Sequence, residues 1–385
     1  MIIKRLYSCR FYCTATSSGV EKTQQLATKC LQLAVIGSPN VGKSLLTNSL
    51  VRCPLSAVSS KMDTTTRNIS ASICEDSTQL VFVDSPGAVS TSHVRQTMKG
   101  SAANGDKVLM DSEKALQRAQ HILVVQDATA PGSYIHHRVL HMLHRYSHVP
   151  STLVMNKIDL VTRRTDMLPL VEILTNGQLS DNQQIATKPA QIGRLGSSLN
   201  MNLNKYAEPN DEKWRNMYRT LIRKPTYQCA FAETKSLFRT INGWSGFERV
   251  FFVSSLTNEG IDDLRTHLLN ISPSGDWRMD ATTPTTETAQ QLCMDSIRAA
   301  VLDTTPSDVA YTVNVRIAEW DENGEVLQIV GEIKVKKPKD GVLIIGKNGR
   351  RISEIGRRVN EHLHSLFQRQ LYARLIVTHN GKTIV

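Results

Sequence analysis

The chain has 385 residues, more than one hydrophobic core usually holds, so its length predicts at least two domains. Hydrophobic residues make up 40% of the sequence, which suits globular domains, and no apolar run approaches the ~20 residues that a membrane-spanning helix needs. The net charge of +11 favours a polyanionic partner over a generally basic surface, and the seven scattered cysteines are expected to be reduced thiols, which excludes a disulfide framework.

The amino-terminal 30 residues are predicted to be a mitochondrial transit peptide. Residues 1–29 contain five Lys and Arg against a single acid, and they are rich in Ser and Thr. That composition is typical of transit peptides, whereas a secretory signal would need an apolar core of about 7–15 residues. The alternative is a disordered basic tail that has no targeting role.

Residues 37–44 match G-x-x-x-x-G-K-[ST], the phosphate-binding P-loop, with an apolar run before them and a helical pattern after them. Gly37 and Gly42 allow tight turns that point backbone N–H groups at phosphate oxygens. We expect Lys43 to reach the β- and γ-phosphates and Ser44 to give its hydroxyl to Mg²⁺. The predicted phosphate-binding residues are Gly37, Ser38, Pro39, Asn40, Val41, Gly42, Lys43 and Ser44.

Two segments after the P-loop are candidates for loops that sense the γ-phosphate. Thr64, Thr65 and Thr66 lie at a suitable distance for one hydroxyl to complete the Mg²⁺ shell, and the run leaves open which one does so. A second apolar strand, 79–83, ends in Asp84-Ser85-Pro86-Gly87. The Asp84 carboxylate is expected to hold a Mg²⁺-bound water, and Gly87 to bring its N–H to the γ-phosphate.

The residue after this glycine is Ala88, where Ras-type enzymes carry a Gln that positions water. An alanine cannot orient water, so we expect slow intrinsic hydrolysis or help from another group. Residues 89–112 are polar and are predicted to form a mobile switch loop.

A helix after the third strand carries His137, His141, His144 and His148 on one face. Histidines at this spacing could bind a metal ion. We favour a solvated histidine face on a helix that covers the sheet with its other side.

The fourth apolar strand is followed by Asn156-Lys157-Ile158-Asp159, an N-K-x-D sequence. The Asp159 carboxylate can accept two hydrogen bonds from guanine, and adenine offers no such donor pair, so the motif predicts GTP rather than ATP. Asn156 is expected to tie this loop to the P-loop, and the stem of Lys157 to cover the base. After the last strand come Ser254, Ser255 and Leu256, where the Ser255 N–H is predicted to contact guanine O6.

Alternating strands and helices predict an α/β domain over residues 31–270, with a mostly parallel sheet, helices on both faces and the ligand at the carboxyl ends of the strands. It contains a long insertion at about 163–245. The Asn-, Gln- and Ser-rich part of the insertion, 175–210, is predicted to be flexible, and no function is assigned to it.

A Pro/Ser/Thr-rich linker, 271–288, leads to a smaller α+β domain at 289–385. There, G-x-x-G lies between an apolar run and a basic helix, which is the signature of a KH domain, here of type II. Residues 331–385 carry twelve Lys and Arg against four Asp and Glu, which suits an RNA backbone. The predicted RNA-binding residues are Gly346, Lys347, Asn348, Gly349, Arg350 and Arg351.

The motif order G-S-P-N-V-G-K-S, T-T-T-R, D-S-P-G, N-K-I-D and S-S-L, followed by a KH-like tail, resembles Era-type GTPases of the TrmE–Era group. With the leader, it is similar to their mitochondrial form. The resemblance implies a slow GTPase that uses GTP/GDP and Mg²⁺, binds rRNA of the small ribosomal subunit and assists assembly of that subunit. It further implies a monomer in the mitochondrial matrix, with at most peripheral contact with the inner membrane.

By position, the resemblance gives catalytic roles to Lys43, Thr66 and Gly87, with Thr65 as the alternative to Thr66. Ser44, Thr66 and Asp84 would hold the metal, and guanine would be bound by Asn156, Lys157, Asp159 and the loop 254–256. Ser255 replaces the usual Ala of that loop, which leaves its backbone contact intact.

Two other functions stay open at this point. Ala88 allows a non-hydrolysing RNA-binding scaffold that uses the nucleotide as a structural ligand. A GTPase of tRNA modification shares similar switch sequences, although its cysteine-bearing tail and folate-type domain are not evident.

Overall fold

The computed structural model describes residues 28–58, 68–84, 102–178 and 212–384, with side chains left out of the description at 102–109. Within those ranges, no helix combines the length and apolar composition needed to cross a bilayer. The described cysteines are all free thiols, as predicted.

The larger sheet has six strands in the order β2-β3-β1-β4-β5-β6. All neighbours in it are parallel except β2, which runs antiparallel to β3. This confirms the predicted mostly parallel sheet. Its strands are β1 (Lys29–Gly37), β2 (Ile69–Glu75), β3 (Thr78–Asp84), β4 (His121–Asp127), β5 (Ser151–Asn156) and β6 (Phe247–Phe252).

Helices cover both faces of this sheet, because alternate residues of each buried strand point to opposite sides. On one face, α1 and α7 pack against Leu33 and Val35 of β1. On the other, α2 and α3 pack against Ala34 and Ile36. The helices of this part are α1 (Lys43–Val51), α2 (Ala102–Arg118), α3 (His137–Arg145), α4 (Met167–Leu174), α5 (Glu212–Arg223), α6 (Phe231–Leu237) and α7 (Ile261–Asn270).

Two elements depart from the sequence predictions. The edge strand β2 has no predicted counterpart, although its buried residues Ile69, Ala71 and Ile73 alternate as an edge strand requires. The polar loop predicted at 89–112 is wrong in its second half, because α2 begins at Ala102. Its last turns bury Leu116 and carry Glu113, whose carboxylate accepts hydrogen bonds from another helix and a loop.

The solvated histidine face predicted for α3 is also wrong. His141 and His144 are buried beneath α5 and α6, and His137 hydrogen-bonds with Thr234 of α6. His148, beyond the end of the helix, is the exposed member of the set. The described residues contain no group of three or more His, Cys, Asp or Glu side chains that could hold a metal ion. The insertion therefore supplies the second layer over this helix.

The smaller sheet has four strands in the order β10-β9-β8-β7, with β8 parallel to β9. Helices α8 and α11 pack together and cover one face of this sheet. The order α8-β7-β8-α10-α11-β9 agrees with the predicted type II KH arrangement. Its elements are α8 (Ala289–Thr304), α9 (Ser307–Ala310), β7 (Asn314–Asp321), β8 (Leu327–Lys334), α10 (Pro338–Ile345), α11 (Arg350–Phe367), β9 (Leu371–His379) and β10 (Lys382–Thr383).

The segment between the two sheets is attached to the larger one. The backbone of residues 272–288 pairs with β2 at Ala71 and Ser72. The buried Gln79 side chain of β3 binds the backbone of Arg278 and Met279. The predicted linker is therefore held along the two strands β2 and β3.

Candidate nucleotide and RNA sites

The P-loop connects β1 to α1, and its two glycines lie where a larger residue would collide. A Cβ on Gly37 would be 2.3 Å from the carbonyl oxygen of Val125, and one on Gly42 would be 2.4 Å from Nδ2 of Asn156. Lys43 is buried, and its Nζ donates to the carbonyl oxygens of Ser38 at 2.9 Å and Gly37 at 3.4 Å. The ammonium group thus lies inside the loop, where a phosphate would need it.

Asp84 ends β3 beside the P-loop helix and is fully buried. Its Oδ2 accepts a hydrogen bond from the Ser56 hydroxyl at 3.4 Å, and its Oδ1 has no hydrogen-bond partner among the described residues. Burial raises the pKa of this carboxyl group, and the nearby Ser44 hydroxyl and Lys43 charge oppose that rise. A carboxylate oxygen without a partner beside a serine hydroxyl fits Mg²⁺, which prefers oxygen ligands. Ser44 and Asp84 are thus the described residues that would hold the ion.

Asn156, at the end of β5, joins three loops of the site. Its Nδ2 donates to the Val41 carbonyl oxygen of the P-loop at 2.9 Å, as predicted. Its Oδ1 accepts from the Ser255 N–H at 3.0 Å and from the Ser255 hydroxyl at 2.9 Å. The N–H predicted to contact guanine O6 is therefore already donated within the protein, so the base would have to share it.

The acceptor predicted to recognise guanine is open to solvent. Asp159 is exposed on the turn after β5 and forms no hydrogen bond or ion pair with a described residue. The neighbouring Lys157 has a φ of 64° and pairs with Asp127 at 2.6 Å. Burial alone would raise the pKa of Asp127, but the bonds and charge from Lys157 and Thr129 lower it overall. Leu256, on the facing loop, is 72% exposed.

Sequence reasoning missed two supporting residues of this site, Asp127 and Asn48. Asp127 is the last residue of β4 and its carboxylate accepts a hydrogen bond from the Lys157 ammonium group, a position that the end of a parallel strand could have suggested. Asn48, in α1, binds both the N–H and the carbonyl oxygen of Ser56 at 2.8 Å each. It thereby holds the segment that reaches Asp84.

Several predicted site residues lie outside the described ranges. Their roles at the γ-phosphate and Mg²⁺ stay predictions. They are Thr64, Thr65, Thr66, Ser85, Pro86 and Gly87, together with Ala88.

The G-x-x-G loop is a tight turn between α10 and α11. Gly346 and Gly349 have φ values of 72° and 71°, and Asn348 has 52°, in the left-handed region that glycine adopts without strain. Lys347 and Arg350 are exposed, and Arg351 bonds to the Leu343 carbonyl oxygen of α10.

The positive charges at this loop suit the binding of an anion. The first turn of α11 contains arginines and no acid, although a helix amino terminus favours negative charge. Val342 and Leu343 of α10 expose apolar side chains next to the loop. The arrangement can hold a nucleic-acid backbone against the helix end and bases on the apolar patch.

A P-loop on a parallel sheet, with an Asn–Lys–x–Asp loop tied to it by Asn156, defines the class of P-loop GTPases. A sequence profile of the family described as "50S ribosome-binding GTPase" matches residues 32–157. The chain is 78% identical to "GTPase Era, mitochondrial" of Caenorhabditis elegans, covering 100% of this chain and 99% of that protein. It is 27% identical to the protein of the same name from Salmo salar, covering 91% of this chain and 76% of the relative.

The chain therefore belongs to the Era family of GTPases, as its motifs predict, and to the mitochondrial branch of that family, as the motifs together with the leader predict. It is a GTP-hydrolysing enzyme. The fold is similar to a crystal structure of Era in complex with MgGDPNP and nucleotides 1506–1542 of 16S ribosomal RNA, with a TM-score of 0.63. That protein is 22% identical, and the match covers 91% of this chain and 94% of that one.

Proposed function

We propose that this GTPase binds rRNA of the small ribosomal subunit through its KH-like part and assists assembly of that subunit in the mitochondrial matrix. The mitochondrial relatives support the compartment, and the solved Era complex, which contains a 16S rRNA fragment, supports the RNA. The protein acts as a monomer, and GTP binding sets how firmly RNA is held.

The nucleotide roles belong to the same proposal. Lys43 serves the phosphates, Ser44 and Asp84 hold Mg²⁺ with Thr66, and Gly87 faces the γ-phosphate. Asn156, Lys157, Asp159 and the loop 254–256 bind guanine. The orphaned Oδ1 of Asp84 and the exposed acceptors of Asp159 support these assignments.

One observation carries the RNA-binding proposal: the G-x-x-G turn exposes two cations at the amino terminus of an 18-residue helix, beside exposed apolar side chains. A purely structural turn has no need for Lys347 and Arg350 where the helix dipole disfavours positive charge. A phosphate group would compensate both the cations and the free N–H groups of the helix end.

The test replaces the two middle residues of the loop and keeps both glycines. In Lys347→Asp/Asn348→Asp, we expect affinity for a small-subunit rRNA fragment to fall at least about tenfold, because attraction to phosphate becomes repulsion. Asn380→Asp/Lys382→Asp changes the same residue types at exposed positions of the β9–β10 hairpin and serves as the matched control. Equal rRNA affinity of the two variants would refute the proposal.

The tRNA-modification hypothesis has less support. The Era relatives match over 88–100% of this chain, a span that includes the KH-like part. Crosslinking in cells followed by sequencing of the bound RNA separates the two, with small-subunit rRNA expected and tRNA as the contrary result.

A further inference from the structure

Helix α5, in the insertion, exposes a row of three arginines. Arg215, Arg219 and Arg223 follow each other at four-residue intervals, so they lie on one face of the helix, about 6 Å apart along its axis. All three are exposed, and none forms an ion pair with a described residue. We call these three residues the arginine row.

The opposite face of α5 is fixed to the rest of the protein. Trp214 donates its indole N–H to the Leu237 carbonyl oxygen at 2.9 Å, and His141 of α3 hydrogen-bonds with the Leu221 carbonyl oxygen at 3.0 Å. These contacts hold α5 against both α6 and α3. The arginine row therefore lies on a helix whose position is fixed by the rest of the protein.

The carboxyl terminus of α5 is held as well. Arg145 of α3 donates to the carbonyl oxygens of Ile222 at 2.8 Å and Arg223 at 2.7 Å. Its own position is set by the buried Glu113, at 2.7 Å. The last turn of the helix therefore cannot swing freely, and the spacing of the row is kept.

The arginines of α5 repel one another, because like charges four residues apart destabilise a helix. Glu212 in the first turn and Arg223 in the last turn suit the helix dipole, but Glu212 is the one acid of the element, so the repulsion within the row is not balanced along it. Helix formation alone thus does not require a continuous row of three arginines. A regular line of positive charge without base-reading groups instead suits the phosphate backbone of a nucleic acid.

The arginine row and the G-x-x-G loop lie on helices that pack into different cores. Helix α5 packs into the core on the face of the larger sheet that is covered by α2 and α3. The KH-like helices α8 and α11 share a core with α1 and α7, which cover the opposite face. The arginine row is therefore a surface separate from the G-x-x-G loop, and RNA of increasing length tests whether one molecule contacts both.

We propose that the arginine row is a second RNA-contacting surface, which binds the phosphate backbone of another segment of the rRNA held by the KH-like part. This inference rests on the proposed rRNA binding. It predicts contacts that depend on RNA length and on salt, without preference for base sequence.

The test compares Arg215→Gln/Arg219→Gln/Arg223→Gln with Arg118→Gln/Arg239→Gln/Arg278→Gln, three exposed arginines from other elements. Glutamine retains high helix propensity, so α5 should keep its fold, which circular dichroism checks. Binding is measured at several salt concentrations, to a long small-subunit rRNA and to a short single-stranded oligonucleotide. The GTP hydrolysis rate without RNA should be unchanged in both variants.

For the long rRNA, we expect the slope of log affinity against log salt to shrink by about 2–3 in the arginine-row variant, since each lost phosphate contact removes about 0.7–0.9. Its affinity for the short oligonucleotide should match that of the wild type. The control should leave both measurements near wild-type values.

Equal salt slopes in the two variants would overturn the inference, as would an equal loss for short and long RNA. Binding to vesicles that contain anionic lipid, lost in the arginine-row variant while RNA binding persists, would assign the row to a membrane surface instead. If Lys347→Asp/Asn348→Asp leaves RNA binding intact but the arginine-row variant lowers the slope, RNA binding by the KH-like part is refuted, and the arginine row is retained as an RNA-contacting surface that is no longer a second one.

Discussion

Asn156 uses every part of its side-chain amide to connect the loops of the nucleotide site. Its NH₂ group reaches the P-loop at Val41, and its oxygen receives two hydrogen bonds from Ser255. The site is buried, so each of these groups would lose its partner without gaining water if the amide were removed. The geometry of the three loops therefore depends on this one side chain.

We expect Asn156→Ala to lower the free energy of unfolding by about 2–4 kcal/mol and to weaken GTP binding, because it leaves three buried polar groups unpaired. Ser255→Ala is the matched control, since it removes one hydroxyl and keeps the backbone contact. It should cost about 1 kcal/mol and preserve GTP binding. Denaturant unfolding and calorimetric titration measure both, and equal stability of the two variants would contradict this role of Asn156.

Asp159 is predicted to set the preference for guanine. Replacing it with Asn turns one acceptor oxygen into a donor, which faces the donor groups of guanine, so we expect GTP affinity to fall at least about tenfold. Asp166→Asn, an exposed carboxylate seven residues further on, should leave GTP affinity unchanged. A fall in both variants, or in neither, would show that Asp159 does not read the base.

The residues assigned to the ligand could be proposed from the sequence because the ligand fixes their spacing. Gly37, Lys43 and Asp159 lie within short motifs whose chemistry is local. Their supports could not be predicted in the same way, since Ser56 reaches Asp84 across 28 residues and Asp127 pairs with Lys157 across 30. Such pairs are made by the sheet that brings strand ends together.

The helix α3 shows why a periodic pattern does not reveal both neighbours of an element. Its apolar residues predict correctly that one face packs on the sheet. Its histidines are compatible both with exposure to solvent and with burial beneath another helix, so the pattern does not decide between them. The elements that bury them, α5 and α6, come about 70–100 residues later in the chain. The alternation in β2 is a local signal that could have been used, whereas the covering of α3 is not local.

Burial lowers the pKa of His144 to about 4, from an ordinary value of 6.5. Its neutral form is therefore favoured in the folded state, and its contribution to stability is complete above pH 6.5. That contribution is lost as the pH falls from 6.5 towards 4, since the unfolded chain takes up the proton first. His136 and His267, also lowered to about 4, follow the same direction.

The histidine face can be tested by removing one of its titrating groups. In His144→Phe, the ring contacts with Phe238 and Trp244 are kept, and the bond to the Tyr218 hydroxyl is lost. As the pH falls from 6.5 to 4, the free energy of unfolding of the wild type should decrease more steeply than that of His144→Phe. The two slopes should differ by about 1 kcal/mol per pH unit. His148→Gln, at an exposed position, should reproduce the wild-type slope. A His144→Phe slope equal to the wild-type slope would refute the burial account.

At the scale of the whole molecule, the two sheets are joined next to the segments that the sequence predicts to sense the γ-phosphate. The connecting segment is bound to β2 and β3, which flank the undescribed residues 59–67 and 85–101. His362 of α11 hydrogen-bonds with the Pro54 carbonyl oxygen at 3.1 Å and with Ser296 of α8 at 2.9 Å. Pro54 lies two residues before Ser56, which reaches Asp84. The KH-like part is thus attached near Asp84, the carboxylate proposed to hold Mg²⁺.

His362→Ala should lower the free energy of unfolding by about 1–2 kcal/mol, because Pro54 and Ser296 lose a half-buried hydrogen-bond partner. It should also reduce the difference in rRNA affinity between the GTP-bound and GDP-bound protein. His364→Ala, exposed on the same helix, is the control and should change neither quantity. An unchanged nucleotide effect in His362→Ala would place the coupling elsewhere.

The central claim is that one guanine-nucleotide site governs how the KH-like part holds RNA. The direct test titrates a small-subunit rRNA fragment into the protein saturated with GDPNP–Mg²⁺ or with GDP, at one salt concentration. We predict rRNA affinities that differ at least about fivefold between the two nucleotide states. Saturating RNA should then change the ratio of GDPNP affinity to GDP affinity by the same factor, since coupling is reciprocal. Equal rRNA affinity in both nucleotide states would contradict the claim.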